Sequence, residues 1–207
     1  MIRRKITEDF TLRLYKKRFD ALSKQTIDFA YLQQSDVYGF FLQGKLVAGF
    51  VIRTEPEFYH LSLLDQANIS THGITVQQES FCEIAGLWIA PHINKSMFRT
   101  HFYLTCIADA LQTGKELILG GSPVRSLVAN HQVCLPYTLY QGQIDESQQY
   151  WNIYYGTRWS CLKGVALQFP GRVKELIKAQ PGDHHPETIS QRPFARWHKV
   201  TKRLIRR

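Results

Sequence analysis

The chain has 207 residues, enough for one domain or one domain with an appendage, and 44% apolar with 13% aromatic residues is the composition of a folded globular protein rather than a disordered one. No apolar run approaches the ~18 residues of a membrane span. The basic start MIRRK is followed by ITEDF where an export signal needs its apolar core, so a cytoplasmic protein is expected. The net charge of +9 is uneven: seven Lys and Arg and no acid fall within 192–207, which leaves 19 basic against 17 acidic residues in the body.

In chain order, residues 8–23 read as a helix, with Phe10, Leu14 and Leu22 near one stripe and Tyr15 and Phe19 beside it. DVYGFFLQGKLVAGFVIRT holds two runs of β-forming residues around Gln43-Gly44, a tight hairpin turn. Pro56 stops the second run. Residues 57–78 are mixed and polar and read as a long loop with one helical turn. FCEIAGLWIAP is a strand ended by Pro91, HINKS a short polar connection, and MFRTHFYLTCIADALQTG an amphipathic helix closed by Gly114. KELILGG is an apolar strand, residues around Arg125 to His131 a short helix, and VCLPYTLYQGQI a further strand. QQYWNIYYGTRWSCLKGVALQFP reads as more strand, and GRVKELIKAQ as a short helix. A strand that feeds a helix and returns to a strand is a parallel crossover unit. The expected fold is α/β: a mixed central sheet with helices on both faces, plus a C-terminal basic helix. The expected division is a domain over 1–179, a linker rich in Pro and polar residues over 180–193, and a basic amphipathic tail over 194–207.

Crossover units place ligands at the carboxyl ends of their strands, which directs attention to the loop from Pro91 to Ser96 and the mouth around Ser122. Glu83 interrupts a strand otherwise filled by Phe81, Cys82, Ile84, Ala85, Leu87, Trp88 and Ile89. A carboxylate there costs free energy unless it is paired or useful, as a general base would be; a place at the strand's solvent edge is the plainer alternative. In His92-Ile93-Asn94-Lys95-Ser96, Ser96 is a plausible N-cap, and Lys95 with the free amides of the first turn suits a phosphate. Arg99 projects from the same turn. Gly120-Gly121-Ser122-Pro123 allows a ligand close to the backbone, with Arg125, Asn130 and His131 placed to line the same mouth. Tyr137 and Tyr140 are phenols near a strand end, able either to donate a proton or simply to pack. Cys134 has His131 three residues before it but no third group to orient a base.

The four cysteines are widely spaced and form no Cys-x-x-Cys pair, so reduced, buried thiols are expected, and the eight histidines show no metal-ligand spacing with them; no metal is expected. In the tail, Arg192, Arg196, Lys199, Arg203 and Arg206 align on one helical face, with Phe194, Trp197, Thr201 and Leu204 on a neighbouring one. Such a helix suits an anionic membrane surface, a nucleic acid or an acidic protein.

The element order over residues 8–160 resembles the GCN5-related N-acetyltransferase (GNAT) superfamily. The hairpin VYGFFLQGKLVAGFVI is similar to that family's second and third strands, FCEIAGLWIAP to its fourth, FRTHFYLTCIADALQTG to the helix that follows and KELILGG to its fifth strand. The family's pyrophosphate loop reads Arg or Gln, two residues, Gly, any residue, then Gly or Ala; here HINKSMF holds no glycine. The resemblance is therefore to a divergent member, near the branches of acyl-amino-acid and acyl-homoserine-lactone synthases. It implies an N-acyltransferase with a thioester donor, acyl-CoA or acyl carrier protein, and an amine acceptor, a small molecule or a peptide. It implies that Glu83 is the base, that Asn94, Lys95 and Ser96 face the donor phosphates with Ser122 and Arg125 beside them, that the backbone amide near Leu87 or Ile89 polarises the thioester carbonyl, and that Tyr137 or Tyr140 protonates the leaving thiolate. An acidic carrier protein would also suit the basic tail. The competing expectation is a catalytically silent binding module that docks on nucleic acid or on an anionic membrane through that tail.

Overall fold

The structure, a computed structural model, describes residues 1–64, 78–93, 96–144 and 149–168. The proposed linker, the basic tail and the short helix expected over 171–180 lie outside them. The elements are β1 (Ile2–Ile6), α1 (Asp9–Ser23), α2 (Phe29–Gln33), β2 (Asp36–Leu42), β3 (Lys45–Arg53), α3 (Tyr59–Ser62), β4 (Phe81–Ile89), α4 (Ser96–Gln112), β5 (Leu117–Ser122), α5 (Arg125–Gln132), β6 (Tyr137–Ile144), β7 (Gln149–Thr157) and α6 (Arg158–Gln168).

Among the described residues, seven strands form one sheet in the order β1-β2-β3-β4-β5-β7-β6. Only β4 and β5 run parallel, over the three pairs Phe81↔Leu117, Cys82↔Ile118 and Glu83↔Leu119. The β2–β3 turn is tight because Gln43 (φ 50°) and Gly44 (φ 76°) both take left-handed conformations, the requirement of a two-residue hairpin that twists with its strands.

Both faces of the sheet are covered, and the alternation of side chains along β3 fixes which helix covers which. Tyr15 of α1 packs on Gly49, where an added Cβ would lie 2.4 Å from its ring. Its hydroxyl donates to the Gly86 carbonyl at 2.5 Å. The next residue, Phe50, points to the opposite face and meets Phe102 of α4 at 5.7 Å between ring centroids, alongside Phe40 and Phe98. Thus α1, α2 and α3 share one face, and α4 and α6 the other.

Two readings of the sequence are corrected, and one strand that the sequence did not announce is added. The buried stripe of α1 is Leu12, Tyr15 and Phe19, whereas Phe10 is 80% exposed and Leu22 is also exposed; the seat of Tyr15 on Gly49 and its bond to the Gly86 carbonyl turn that side of the helix inward. Residues 158–168 form a helix, not a strand. Thr157 Oγ1 accepts from the Ser160 amide and Ser160 Oγ donates to the Cys134 carbonyl, so the chain turns as soon as β7 ends. The segment 2–6 is an edge strand: Arg3 lies over the Tyr38 ring at 4.4 Å and is paired with Asp109 of α4, which makes a charged strand compatible with the sheet. No helix among the described residues is long and apolar enough to cross a membrane.

Candidate active site

Beyond Glu83↔Leu119 the parallel pairing stops and the two strands part. β4 continues to Ile89 with only β3 beside it, and β5 continues to Ser122 with only β7 beside it. A wedge therefore opens between the carboxyl ends of two adjacent parallel strands, the place where such sheets receive ligands. On the β4 side, Gly49 pairs with Trp88 and Val51 with Ala85, so Phe50 faces both Gly86 and Leu87. This is a bulge, and Gly86 takes it with φ 60°; a Cβ there would stand 2.9 Å from Val51. Leu87 and Ile89, past the bulge, are half-buried while their neighbours are sealed.

Glu83 sits at the fork and is fully buried, with 0% exposure. Its Oε2 accepts from the Tyr31 hydroxyl at 2.5 Å and from the Tyr59 amide at 2.8 Å. Its Oε1 accepts from the His60 amide and is bonded to His60 Nδ1, each at 2.8 Å. The carboxylate thus caps α3, whose preceding residue Phe58 offers no capping side chain. Burial, then the neighbouring carboxylate, holds the Tyr31 phenol well above its usual range, and the same two causes push Tyr59 up to about 12. Tyr31 therefore stays a donor.

His60 is nearly buried at 3% exposure, with Tyr59 and Trp151 edge-on to its ring. Because a carboxylate can only accept, Nδ1 must carry the proton. The other edge of the ring lies over Gly121 of β5: a Cβ built there would stand 2.5 Å from Cδ2 and 3.0 Å from Nε2. No other described side chain is bonded to Nε2.

The opposite face of the fork carries a second imidazole. His131 of α5 is bonded through Nδ1 to the Tyr154 hydroxyl and meets the Tyr103 ring at 5.7 Å. Its Nε2 is buried without a partner among the described residues. Burial, then the nearby imidazole of His60, lowers its pKa to about 4, so it is neutral at pH 7. Tyr154 pairs in register with Gly120, whose missing side chain makes room for Tyr154 and Leu135.

The structure therefore gathers Glu83, Leu87, Ile89 and Ser122 around the fork. Ser122 ends β5, and its Oγ accepts from the Val124 amide at 3.1 Å to close the turn into α5, which Arg125 opens. Ser96 is the exposed first residue of α4; Asn94 and Lys95 lie outside the described residues. Tyr137 and Tyr140 are not brought to the fork. They belong to edge strand β6, with β7 between them and β5, which is roughly 9–10 Å across two strand spacings. Tyr137 is 49% exposed against Tyr155, and the Tyr140 hydroxyl donates to the Gln143 carbonyl at 2.8 Å. The Cys134 thiol, buried and pushed up to about 11, is no nucleophile at neutral pH. Sequence reasoning missed Tyr31, His60 and Tyr154. Only His60, a lone histidine beside the one turn expected in 57–78, left any local signal.

No family model matches the chain, and no curated protein matches it in sequence. Solved structures do match it in shape. A CoA-dependent acyl-homoserine lactone synthase, MesI, aligns with 84% of this chain and 90% of its own at a TM-score of 0.55 and 14% identity. FeeM, an N-acyl amino acid synthase from uncultured soil microbes, aligns over 81% of this chain and 98% of its own at 0.54 and 10% identity. The yncA protein of Salmonella typhimurium, solved with its cofactor acetyl-CoA, aligns over 76% and 94% at 0.51 and 11% identity. These likenesses show the fold: the chain has the GCN5-related N-acetyltransferase fold, in a divergent form without the glycine-rich loop.

Proposed function

We propose that this protein is an N-acyltransferase that moves an acyl group from a thioester, acyl-CoA or acyl carrier protein, to an amine acceptor. The observation that carries the proposal is the parting of β4 and β5 immediately after a buried carboxylate and beside a bulged strand. A thioester laid in that wedge has the backbone of Leu87 and Ile89 along one side, where an amide freed from sheet pairing stabilises the developing oxyanion. The acceptor approaches from the α1–α3 face and loses its proton on the Glu83 side of the fork. The new C–N bond forms as the C–S bond breaks, and the thiolate departs on the His131 and Tyr154 side. Tyr154, opposite Gly120, is closer to this path than Tyr137 or Tyr140. Donor phosphates are held near the start of α4, by Asn94, Lys95 and Ser96, with Ser122 and Arg125 across the mouth.

The similar solved proteins include acyl-homoserine lactone and N-acyl amino acid synthases, which supports an acyl donor and a small amine-bearing acceptor. The test is the thermal midpoint of the protein with acetyl-CoA, with a long-chain acyl-CoA and with an acyl carrier protein. A donor at 100 times its dissociation constant adds about 2.7 kcal/mol. A shift with one of the three identifies the donor class. No shift with any of them refutes the proposal. Binding of nucleic acid or anionic vesicles through residues 192–207, steeply weakened by salt, would then mark a silent binding module.

A further inference from the structure

Resting on the acyltransferase reading, we propose that His60 is the group that takes the acceptor's proton, and that Glu83 is a positioning residue acting through it. The Glu83 carboxylate has no capacity left for the task. Each oxygen already holds two donors, and two of those four are backbone amides of α3, which have no other partner there. At 0% exposure, no amine reaches it without dismantling α3.

His60 has what Glu83 lacks. Its Nδ1–H is committed to the carboxylate, so in the neutral ring the lone pair is on Nε2. That edge of the ring lies over Gly121, two residues past the last β4–β5 pair, at the fork itself. Trp151 and Tyr59 clamp the ring edge-on and fix its direction. When the amine nitrogen bonds to the thioester carbon, one N–H proton passes to Nε2, and the resulting imidazolium is balanced by the carboxylate 2.8 Å away. The C–S electron pair leaves with the thiolate, which is protonated from the other face of the fork or from water. The imidazolium then returns its proton to solvent. The groups facing His60 are the Glu83 carboxylate on β4, the Tyr59 phenol on its own helix, and His131 on α5 across the fork, with the Tyr31 phenol of α2 and Arg53 of β3 behind the carboxylate. Gly121 and Trp151 complete the surroundings without charge.

The experiment compares the full-length wild type with His60→Gln, whose amide still donates toward Glu83, and with Glu83→Gln. Histidine-labelled NMR of the wild type reads the tautomer; the expected signal is a protonated Nδ1 and a bare Nε2. Donor binding is read as the thermal shift with acetyl-CoA or a long-chain acyl-CoA. Thiol release is followed over pH 6–9 with the common L-amino acids and alkylamines as acceptor probes. His60→Gln is expected to keep the donor shift, lose about 10²–10⁴-fold in transfer and lose the acidic limb of the pH profile. Glu83→Gln, where it folds, displaces that limb. Transfer by His60→Gln at the wild-type rate, or a His60 protonated at Nε2 alone in the resting protein, overturns the inference. A wild type that binds no donor is instead the failure of the acyltransferase reading, and the tautomer signal separates the two.

Discussion

Acidification should destabilise this protein through His131 in a way that one substitution removes. His131 titrates at about 4 in the folded chain, against about 6.5 when unfolded. A histidine whose folded pKa is depressed favours the neutral form, so its contribution is present above the unfolded pKa and is lost as pH falls toward the folded one. Between pH 7 and pH 5 the unfolded chain gains most of a proton that the folded chain refuses, which amounts to about 2 kcal/mol of lost stability. Urea unfolding of wild type and His131→Gln at the two pH values measures it. Both proteins share every other titrating group, including His101, whose pKa is also lowered by burial, so those terms cancel. The variant should lose about 2 kcal/mol less than wild type on going from pH 7 to pH 5. Equal losses would mean that His131 is not held neutral by burial, and would remove it from the sealed wall of the fork.

Tyr31→Phe removes one of the four donors to Glu83 and should cost about 2 kcal/mol in urea unfolding at pH 7, as for a buried hydrogen bond to a charge. An unchanged midpoint would show that the carboxylate does not depend on α2. Gly121→Ala tests the seat of His60. Its Cβ would fall 2.5 Å from a ring that cannot retreat, because Nδ1 and the backbone amide are both tied to Glu83. The expected cost is about 1–3 kcal/mol, with a displaced His60 NMR signal; an unmoved signal would place the imidazole elsewhere.

The parts of this fold that were legible in the sequence are those whose cause is local. Gln43-Gly44 announces its hairpin because few residue pairs accept two left-handed conformations in a row. The strand over 81–89, the helix over 96–112 and the strand over 117–122 follow from apolar runs bounded by Pro91 and Gly114. The edge strand 2–6 was not legible, because three of its five residues are Arg or Lys and its place depends on Tyr38 and Asp109, far along the chain. Residues 158–168 were misread because Trp159, Cys161 and Val165 also suit a strand; the turn made by Thr157 and Ser160 decides for a helix. Glu83 stood out as a carboxylate in an apolar strand, but its four donors come from residues 23 to 52 positions away. No spacing rule connects them. Tyr137 and Tyr140 drew attention by lying near a strand end, and only the insertion of β7 between β5 and β6 reveals how far they stand from the fork.

The three-pair ladder between β4 and β5 has a consequence for cooperativity. On one side of it, β1 to β4 form an antiparallel meander; on the other, β5, β7 and β6 pair antiparallel with β7 inserted between its two neighbours. The sheet is thus two local folding units sharing a narrow seam, fastened further by His60 against Gly121. Local pairing forms readily, whereas the seam closes only once both units exist. A molecule lodged in the fork would touch both units at once. It would tighten the whole protein by coupling two halves whose shared backbone ladder is only three pairs long, and its binding energy would appear as cohesion far from the atoms it contacts.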